Sequence, residues 1–276
     1  MATEALNAGA VYSEMILRME KFDAAMATIQ SALKKIDSET AKTKSKLAGL
    51  ADGMGAVGKK MSMAFTLPFS VMSFAAIGTA LGDSVKNASD LNETVSKSSV
   101  IFGTSSKDIM KWSDGAAQNL GMSKRAALDS ASSFALFAKQ AGLSGQAVND
   151  FSKQNVQMAA DLASFFNSSP EEAITAMTAA LRGESEPIRR YNILLDDASL
   201  RQAALKKGLI STTKDALTPQ QRILAAQSLI MQQASAAVGD FARTSNQLAN
   251  QQRIQAAEYE NVSAKLGTSL LPVMLA

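Results

Sequence analysis

Residues Tyr12 to Met61 read YSEMILRMEKFDAAMATIQSALKKIDSETAKTKSKLAGLADGMGAVGKKM. Apolar side chains recur here at alternating steps of three and four residues, and only Thr40 and Thr43 interrupt the series. Such spacing, kept over about seven heptads, places one narrow apolar seam along a helix and is typical of a coiled coil. The seam residues are Met15, Met19, Phe22, Met26, Ile29, Leu33, Ile36, Leu47 and Leu50, with Tyr12, Met54, Val57 and Met61 at its ends.

The positions beside the seam favour a second copy of the chain as the partner. In a parallel arrangement Arg18 would face Asp23 of a neighbouring copy, and Glu39 would face Lys44. Isoleucine at the second seam position, with leucine or methionine at the first, favours three or more strands. The alternative is an amphipathic helix lying on its own domain. At about 1.5 Å per residue a straight helix of this length reaches roughly 75 Å, so one small domain would not cover it.

Composition excludes several kinds of site. The chain of 276 residues has no cysteine and no histidine. It therefore has neither a disulfide framework, a thiolate nucleophile nor the commonest ligand for transition metals. We expect no catalytic residue, metal or cofactor. The net charge is only +3, with a sequence pI of about 9.0, which is too small an excess to require nucleic acid as a partner.

A glycine-rich stretch follows the seam. Residues 53–58 match the dinucleotide fingerprint literally, and residues 53–59 match most of a phosphate-binding loop. Both motifs need a strand before them and a helix directly after. A helical seam precedes this stretch, and Lys60 stands where the loop motif needs a hydroxyl. A flexible joint is the favoured interpretation.

Residues Met61 to Gly82 carry no charge. This length would cross a hydrocarbon core of about 30 Å as a helix, although several serines and threonines and Pro68 lower its hydropathy. Three interpretations stay open: a membrane span, a helix buried in protein or shielded in a lumen, and a segment that enters a membrane only late in function. The shielded helix is favoured.

From Asp83 onward the chain shows start and stop signals for short helices. One helix face should hold Val148, Phe151, Val156, Met158, Ala159, Leu162 and Phe166. No long stretch alternates with a period of two, so the predicted fold is all-α. The predicted divisions are a coiled-coil helix at 1–62, an apolar helical segment at 63–82 and an all-helical domain at 83–276. The predicted helix starts, each with its stop where one is present, are a capping box at Ser105 and Asp108 (stop Gly121), Ser123 (stop Gly142), Ser144, Ser169-Pro170-Glu171-Glu172 (stop Gly183), Asp197 (stop Gly208) and Thr218-Pro219. A last helix is predicted from about Asp240 to Leu266, and Pro272 should prevent it from continuing.

The most distinctive local stretch is LRGESEPIRRYNI, residues 181–193. It combines a helix stop, a turn begun by proline and two arginines near two glutamates, so the charges are expected to pair internally. With Thr66-Leu67-Pro68-Phe69, Gly121-Met122-Ser123 and Leu270-Leu271-Pro272, it resembles the tail tape measure proteins of long-tailed bacteriophages and prophages. The motif residues are Leu181, Arg182, Gly183, Glu184, Glu186, Pro187, Arg189 and Arg190.

The resemblance covers roughly residues 50 to 276 and implies a structural protein. Such a protein is stretched inside the tail tube, sets the tube's length while tube subunits polymerise around it, and leaves ahead of the DNA at infection. The implied partners are other copies of the chain, the tail tube protein and tail assembly chaperones. The implied locations are the tail lumen of the virion, the host cytoplasm during assembly and, at infection, the host membrane. Family members are generally longer, so the chain is interpreted as the N-terminal portion of a longer ruler or as a shortened prophage remnant.

The sequence allows three other functions to be compared with this one. A membrane-inserting protein that aids DNA entry through residues 61–82 is the main alternative and is compatible with the family. A helical enzyme is disfavoured, since the adjacent Asp196 and Asp197 suit a helix cap better than a catalytic pair. Specific nucleic-acid binding is disfavoured because aromatic residues for stacking are missing among the lysines. Those lysines are Lys34, Lys35, Lys42, Lys44, Lys46, Lys59 and Lys60.

Overall fold

The computed structural model describes the backbone of residues 74–274 and the side chains of residues 83–268. The predicted oligomer seam from Met15 to Leu50, the glycine-rich stretch and residues 61–73 of the apolar segment lie outside the described residues. The remainder of that segment, residues 74–82, is helical.

Residues 74–274 form ten α-helices and three short 3-10 turns and contain no strand, so the all-α prediction is confirmed for this part of the chain. The helices are α1 (Phe74–Phe102), α2 (Ser106–Ser113), α3 (Ala116–Leu120), α4 (Lys124–Gln140), α5 (Gln146–Phe165), α6 (Pro170–Arg182), α7 (Asp197–Lys206), α8 (Pro219–Gln233), α9 (Asp240–Arg243) and α10 (Leu248–Met274). The 3-10 turns are Gly103–Ser105, Pro187–Tyr191 and Ser235–Ala237.

Two helix starts follow the predicted signals in full. The Ser169 hydroxyl accepts a hydrogen bond from the Glu172 amide at 3.1 Å, and the Glu172 carboxylate accepts one from the Ser169 amide at 3.3 Å. Thr218 and Gln221 form the same reciprocal capping box at the start of α8. Each box satisfies two amides that have no partner within the helix, and this fixes where α6 and α8 begin.

Other helix starts differ from the prediction. Ser105 does not cap α2 with its side chain, because it closes a 3-10 turn with φ −88° and ψ 3° and lacks the extended backbone of a capping serine. Gly145, with φ 54°, rather than Ser144, precedes α5. The predicted last helix is divided into α9 and α10, and α10 runs past Pro272 to Met274.

The described residues belong to two compact units. One consists of Asp90–Asn261, and the other includes residues 74–89 and 262–274. The division predicted at 82/83 falls inside α1, which is continuous from Phe74 to Phe102.

Helices α4 and α5 form the most extensive helix pair of the unit Asp90–Asn261. Along α4, four alanines are fully buried together with Phe134: Ala127, Ala131, Ala135 and Ala138. These side chains lie on one face of the helix, and their small size lets a neighbouring backbone approach closely. The largest fully buried side chains of the unit are Ile109, Leu120, Met122, Leu128, Phe134, Val156, Leu162, Met177, Ile188, Ile193, Ile230 and Phe241.

The other unit contains a close contact between α1 and α10. The hydroxyls of Ser84 and Ser263 lie 3.2 Å apart, and the Asn87 amide donates to Ser263 at 3.0 Å. A Cβ added to Gly267 would lie 1.8 Å from the Ser84 carbonyl oxygen and 2.8 Å from the Ala88 Cβ. Only glycine fits at position 267, because the two helix backbones approach each other there.

Candidate functional site

The motif at residues 181–193 folds as a helix stop followed by a tight turn. Gly183 adopts φ 104° at the end of α6, a conformation that glycine reaches without a Cβ clash. The Gly183 amide donates to the Ala180 carbonyl at 3.0 Å, and the Glu184 amide donates to the Ala179 carbonyl at 2.9 Å. These two bonds form a Schellman ending. Pro187 then begins a 3-10 turn, as the sequence predicted for a proline-started segment.

The charged residues of the motif pair with one another or with α6. The Arg182 guanidinium lies 3.1 Å from the Glu184 carboxylate, and Arg189 lies 2.6 Å from Glu186. Arg190 lies 3.3 Å from Glu172 on α6. The expected internal pairing is confirmed for Arg189 with Glu186, whereas Arg190 pairs outside the motif. All of these side chains are about half exposed or more, and pairs in that setting contribute little to stability.

Buried residues within the motif fasten it to the core. Ile188 and Ile193 are fully buried, and Tyr191 is nearly so. The predicted set of motif residues did not include these three. Their apolar character is the signal that the sequence offers, but the spacing 188, 191 and 193 is too short and irregular to be recognised as a helix or strand pattern.

Tyr191 joins the motif to the corner between α5 and α6, residues 166–169. Its hydroxyl lies 3.0 Å from the Ser168 hydroxyl, and its ring packs edge-on against Phe166 with centroids 5.5 Å apart. The Arg190 guanidinium lies 5.4 Å from the centre of the Tyr191 ring, within range of a cation–π contact. Burial raises the pKa of the Tyr191 hydroxyl above its ordinary value, so the group remains a neutral hydrogen-bonding partner.

Helix α10 contacts the same corner from another direction. The Arg253 guanidinium donates to the Ser168 carbonyl at 2.9 Å and also to the side chain of Asn250. Asn167, in the left-handed region with φ 49°, turns the chain so that this carbonyl is available. Ser168 therefore contacts the motif through its hydroxyl and α10 through its backbone.

The chain that leaves the motif is held by one glutamine. The Leu194 amide donates to Gln233 Oε1 at 2.8 Å, and Gln233 Nε2 donates to the Leu194 carbonyl at 2.9 Å. One side chain on α8 thus satisfies both polar groups of the Leu194 backbone, as a neighbouring strand would. The Leu194 side chain is left exposed.

A buried carboxylate lies one turn before the end of α5. Asp161 accepts hydrogen bonds from the Gly239 amide at 2.9 Å and the Phe241 amide at 3.2 Å. Burial is the largest influence on this group and raises the pKa of Asp161, although the two amides act in the opposite direction. Asp240, between those two amides, accepts a bond from Ser164 at 2.6 Å and pairs with Arg243. Asp161 and Asp240 therefore attach α9 to α5.

These contacts hold chain segments in place. Among residues 83–268, no three acidic side chains lie together in a way that would hold a metal ion. In the same part of the chain, no helix is long and apolar enough to cross a membrane. Asp196, the first residue of the adjacent acidic pair, caps α7 by accepting a hydrogen bond from the Ser199 amide at 2.8 Å, as the sequence predicted. Its neighbour Asp197 pairs with Arg201 and Arg222.

Comparison with known proteins adds no relative. No family model matches the chain, and no curated protein or solved structure matches it either.

Proposed function

We propose that the chain is a structural tail tape measure protein, or the N-terminal part of one, of a long-tailed bacteriophage or prophage. It occupies the lumen of the tail tube, templates assembly and length of the tube, and leaves ahead of the DNA. The observation that carries this proposal is the resemblance of residues 181–193, together with the shorter matching strings, to that family. The predicted coiled-coil helix at residues 12–61 also supports the proposal, because the length of a helix is proportional to its number of residues.

The geometry of the motif is compatible with this role. Its arginines face glutamates, its tyrosine and isoleucines are buried, and its backbone is capped. A turn of this kind stabilises a folded unit and presents a defined outer surface. Such a surface suits a protein whose partners are tube subunits and assembly chaperones.

The proposal is tested by changing the length of the seam in the phage or prophage that encodes the chain. Deleting residues 19–46 removes 28 residues, or four heptads, so that Leu47 takes the seam position of Met19. Since a helix rises about 1.5 Å per residue, tails should shorten by about 40 Å, rounded to whole rings of the tube. Tail length is measured by electron microscopy.

The matched control replaces residues 19–46 with an unrelated coiled-coil sequence of the same length. Tails should then keep their original length, since the residue count is unchanged. Unchanged length after the deletion would refute a ruler role for this region. If tails shorten after both the deletion and the replacement, the change in tail length is instead caused by the loss of sequence-specific contacts.

The uncharged stretch from Met61 to Gly82 supports a second candidate function. We propose membrane insertion during DNA entry as the alternative role of this segment. Purified protein should release dye from liposomes, and Ala75→Asp or Ile77→Asp should abolish the release, because a charge in the hydrocarbon core is costly. Absence of leakage by the unaltered chain would reject this alternative.

A further inference from the structure

The first half of α10, residues 248–261, is attached to its unit differently from the other long helices. Of these fourteen positions only Ile254 and Ala257 bury an apolar side chain. Leu248 is 75% exposed and Tyr259 is 42% exposed. Helix α5, by contrast, buries apolar side chains along most of its length. Little of the stability of residues 248–261 therefore comes from removing apolar surface from water.

Polar contacts supply most of the attachment. Near the end of the segment, Asn261 Oδ1 accepts a hydrogen bond from the Lys124 amide at 2.8 Å, and Glu260 pairs with Arg125 at 2.6 Å. Gln118 donates to Glu258 at 2.9 Å. Each of these groups can exchange its partner for water when the segment leaves, so the net cost of separation per contact is small.

The strongest anchoring lies at the start of the segment. Asn250 donates to the Ser164 hydroxyl at 2.8 Å, and Arg253 donates to the Ser168 carbonyl at 2.9 Å. Asn250 is almost fully buried, and both residues also bond each other. Removing Arg253 would therefore leave buried polar groups of Asn250 and Ser168 without a partner, which costs more than losing an exposed pair.

The chain on both sides of the segment keeps contacts of its own, with α5 before it and with α1 after it. Residues 244–247 separate α9 from α10. This connector is bonded to the segment, since the Asn250 amide group donates to the Thr244 hydroxyl at 2.8 Å and that of Gln251 to the Ser245 carbonyl at 2.7 Å. Phe241 of α9 stays attached to α5 through its amide and Asp161. A separation of residues 248–261 therefore does not require α9 to move.

From these observations we infer that residues 248–261 form a detachable strap, which undocks as a unit from the α3–α6 core of Asp90–Asn261 while that core stays folded, with Arg253 and Asn250 as its latch. Segments with few buried apolar contacts and many polar ones open at lower free energy than the core. Undocking exposes the corner at residues 166–169 and frees the Lys124 amide at the start of α4. The inference does not depend on the proposed function.

Hydrogen exchange of the full chain, followed by mass spectrometry, tests the strap. Peptides from residues 248–261 should exchange at least tenfold faster than peptides from α4 and α5, and without the denaturant dependence of global unfolding. Arg253→Ala should speed exchange in residues 248–261 by a further tenfold or so and leave α4 and α5 unchanged. Arg222→Ala, which removes an ion pair with Asp197 elsewhere in the same unit, is the matched control and should leave residues 248–261 unaffected.

A cross-link provides the converse measurement. The chain has no cysteine, so Gln118→Cys with Glu258→Cys places a single reactive pair at a point of contact. Linking them with a short bismaleimide should slow exchange in residues 248–261 toward that of the core. Exchange of residues 248–261 in step with α4 and α5, in both the unaltered chain and Arg253→Ala, would overturn the inference, as would a cross-link that changes nothing.

Discussion

Helix α4 and the corner between α5 and α6 hold their neighbours by different means. Along α4, Phe134 and four alanines are fully buried, and contact is largely apolar. At the corner, Ser168 binds Tyr191 through its hydroxyl and Arg253 through its carbonyl. Apolar burial is non-directional and scales with area, whereas hydrogen bonds fix particular atoms. The first kind of contact therefore stabilises the fold, and the second positions the motif and α10 within it.

The largest effect should come from opening a cavity in the apolar region. Phe134→Ala removes a ring that is fully buried, and such truncations cost about 3–5 kcal/mol of unfolding free energy. Urea denaturation followed by circular dichroism measures the loss. Leu136→Ala, two residues along α4 and 47% exposed, is the control and should cost less than about 1 kcal/mol. Equal losses for the two variants would contradict the assigned core.

A smaller effect is expected where two helix backbones meet. Gly267→Ala would place a Cβ 1.8 Å from the Ser84 carbonyl oxygen, so α1 and α10 must separate. Overpacking of this kind costs about 1–3 kcal/mol. Hydrogen exchange of residues 83–89 should accelerate. Thr268→Ala, at the adjacent exposed position, should leave that exchange unchanged, and protection kept in the glycine variant would disprove the close approach.

The polar corner should respond more weakly still. Tyr191→Phe removes the hydroxyl that contacts Ser168 at 3.0 Å, at an expected cost of about 1 kcal/mol. Ser168→Ala removes the same bond from the other side. Because both variants lose one shared interaction, the double variant should cost clearly less than the sum of the two. Strict additivity in urea denaturation would show that the two hydroxyls do not depend on each other.

How far the sequence predicted these regions depends on how far apart the interacting residues lie. Ser169 and Glu172 are three residues apart, so local sequence predicted their capping box. It also predicted the helix start at Thr218-Pro219, although Gln221, which completes the box there, was not among the predicted residues. The apolar face of α5 was predictable from its helical period, and Val148, Phe151, Val156 and Leu162 are buried as expected.

The predictions failed or fell short where tertiary contacts or backbone angles decide the structure. Serine commonly caps helices, but neither Ser105 nor Ser144 does so with its side chain. A preceding 3-10 turn sets the start of α2, and Gly145, with its positive φ, sets the start of α5. Ser168 and Arg253 are 85 residues apart, so no local pattern reports their contact. Most of the predicted motif residues are charged, yet buried Ile188, Tyr191 and Ile193 hold the turn in place.

The buried carboxylate of Asp161 should make the free energy of unfolding depend on pH. Burial raises the folded-state pKa of Asp161 above its ordinary value of 3.8, so the folded chain holds that proton more tightly than the unfolded chain. The contribution of Asp161 to stability therefore increases as the pH falls from neutral toward 3.8. Asp161→Asn should remove this increase, and urea denaturation at a series of pH values measures it.

Asp215 offers a control with the opposite sign. Hydrogen bonds from the backbone amide of Thr212, followed by that of Ser211, lower the pKa of Asp215 below 3.8. Its contribution is present above that pH and is lost as the pH falls through the folded-state value. Asp215→Asn should leave the slope above pH 4 intact. An unchanged slope in Asp161→Asn would contradict the assigned burial of that carboxylate.

The smallest effect on stability should come from the exposed charges of the motif, and this makes them informative about function. Arg189→Ala breaks a pair whose two side chains are 54% and 78% exposed, so unfolding free energy should change by less than about 0.5 kcal/mol. If the motif surface binds a tube subunit or chaperone, the same variant should reduce tail assembly, counted by electron microscopy of the phage, because the lost charge faces the partner. Lys107→Ala, a basic side chain exposed in the same unit, is the matched control and should assemble normally. If Arg189→Ala assembles tails normally, Arg189 acts only within its own turn and does not bind a partner. A large loss of stability would instead show that the ion pair is shielded from water in solution.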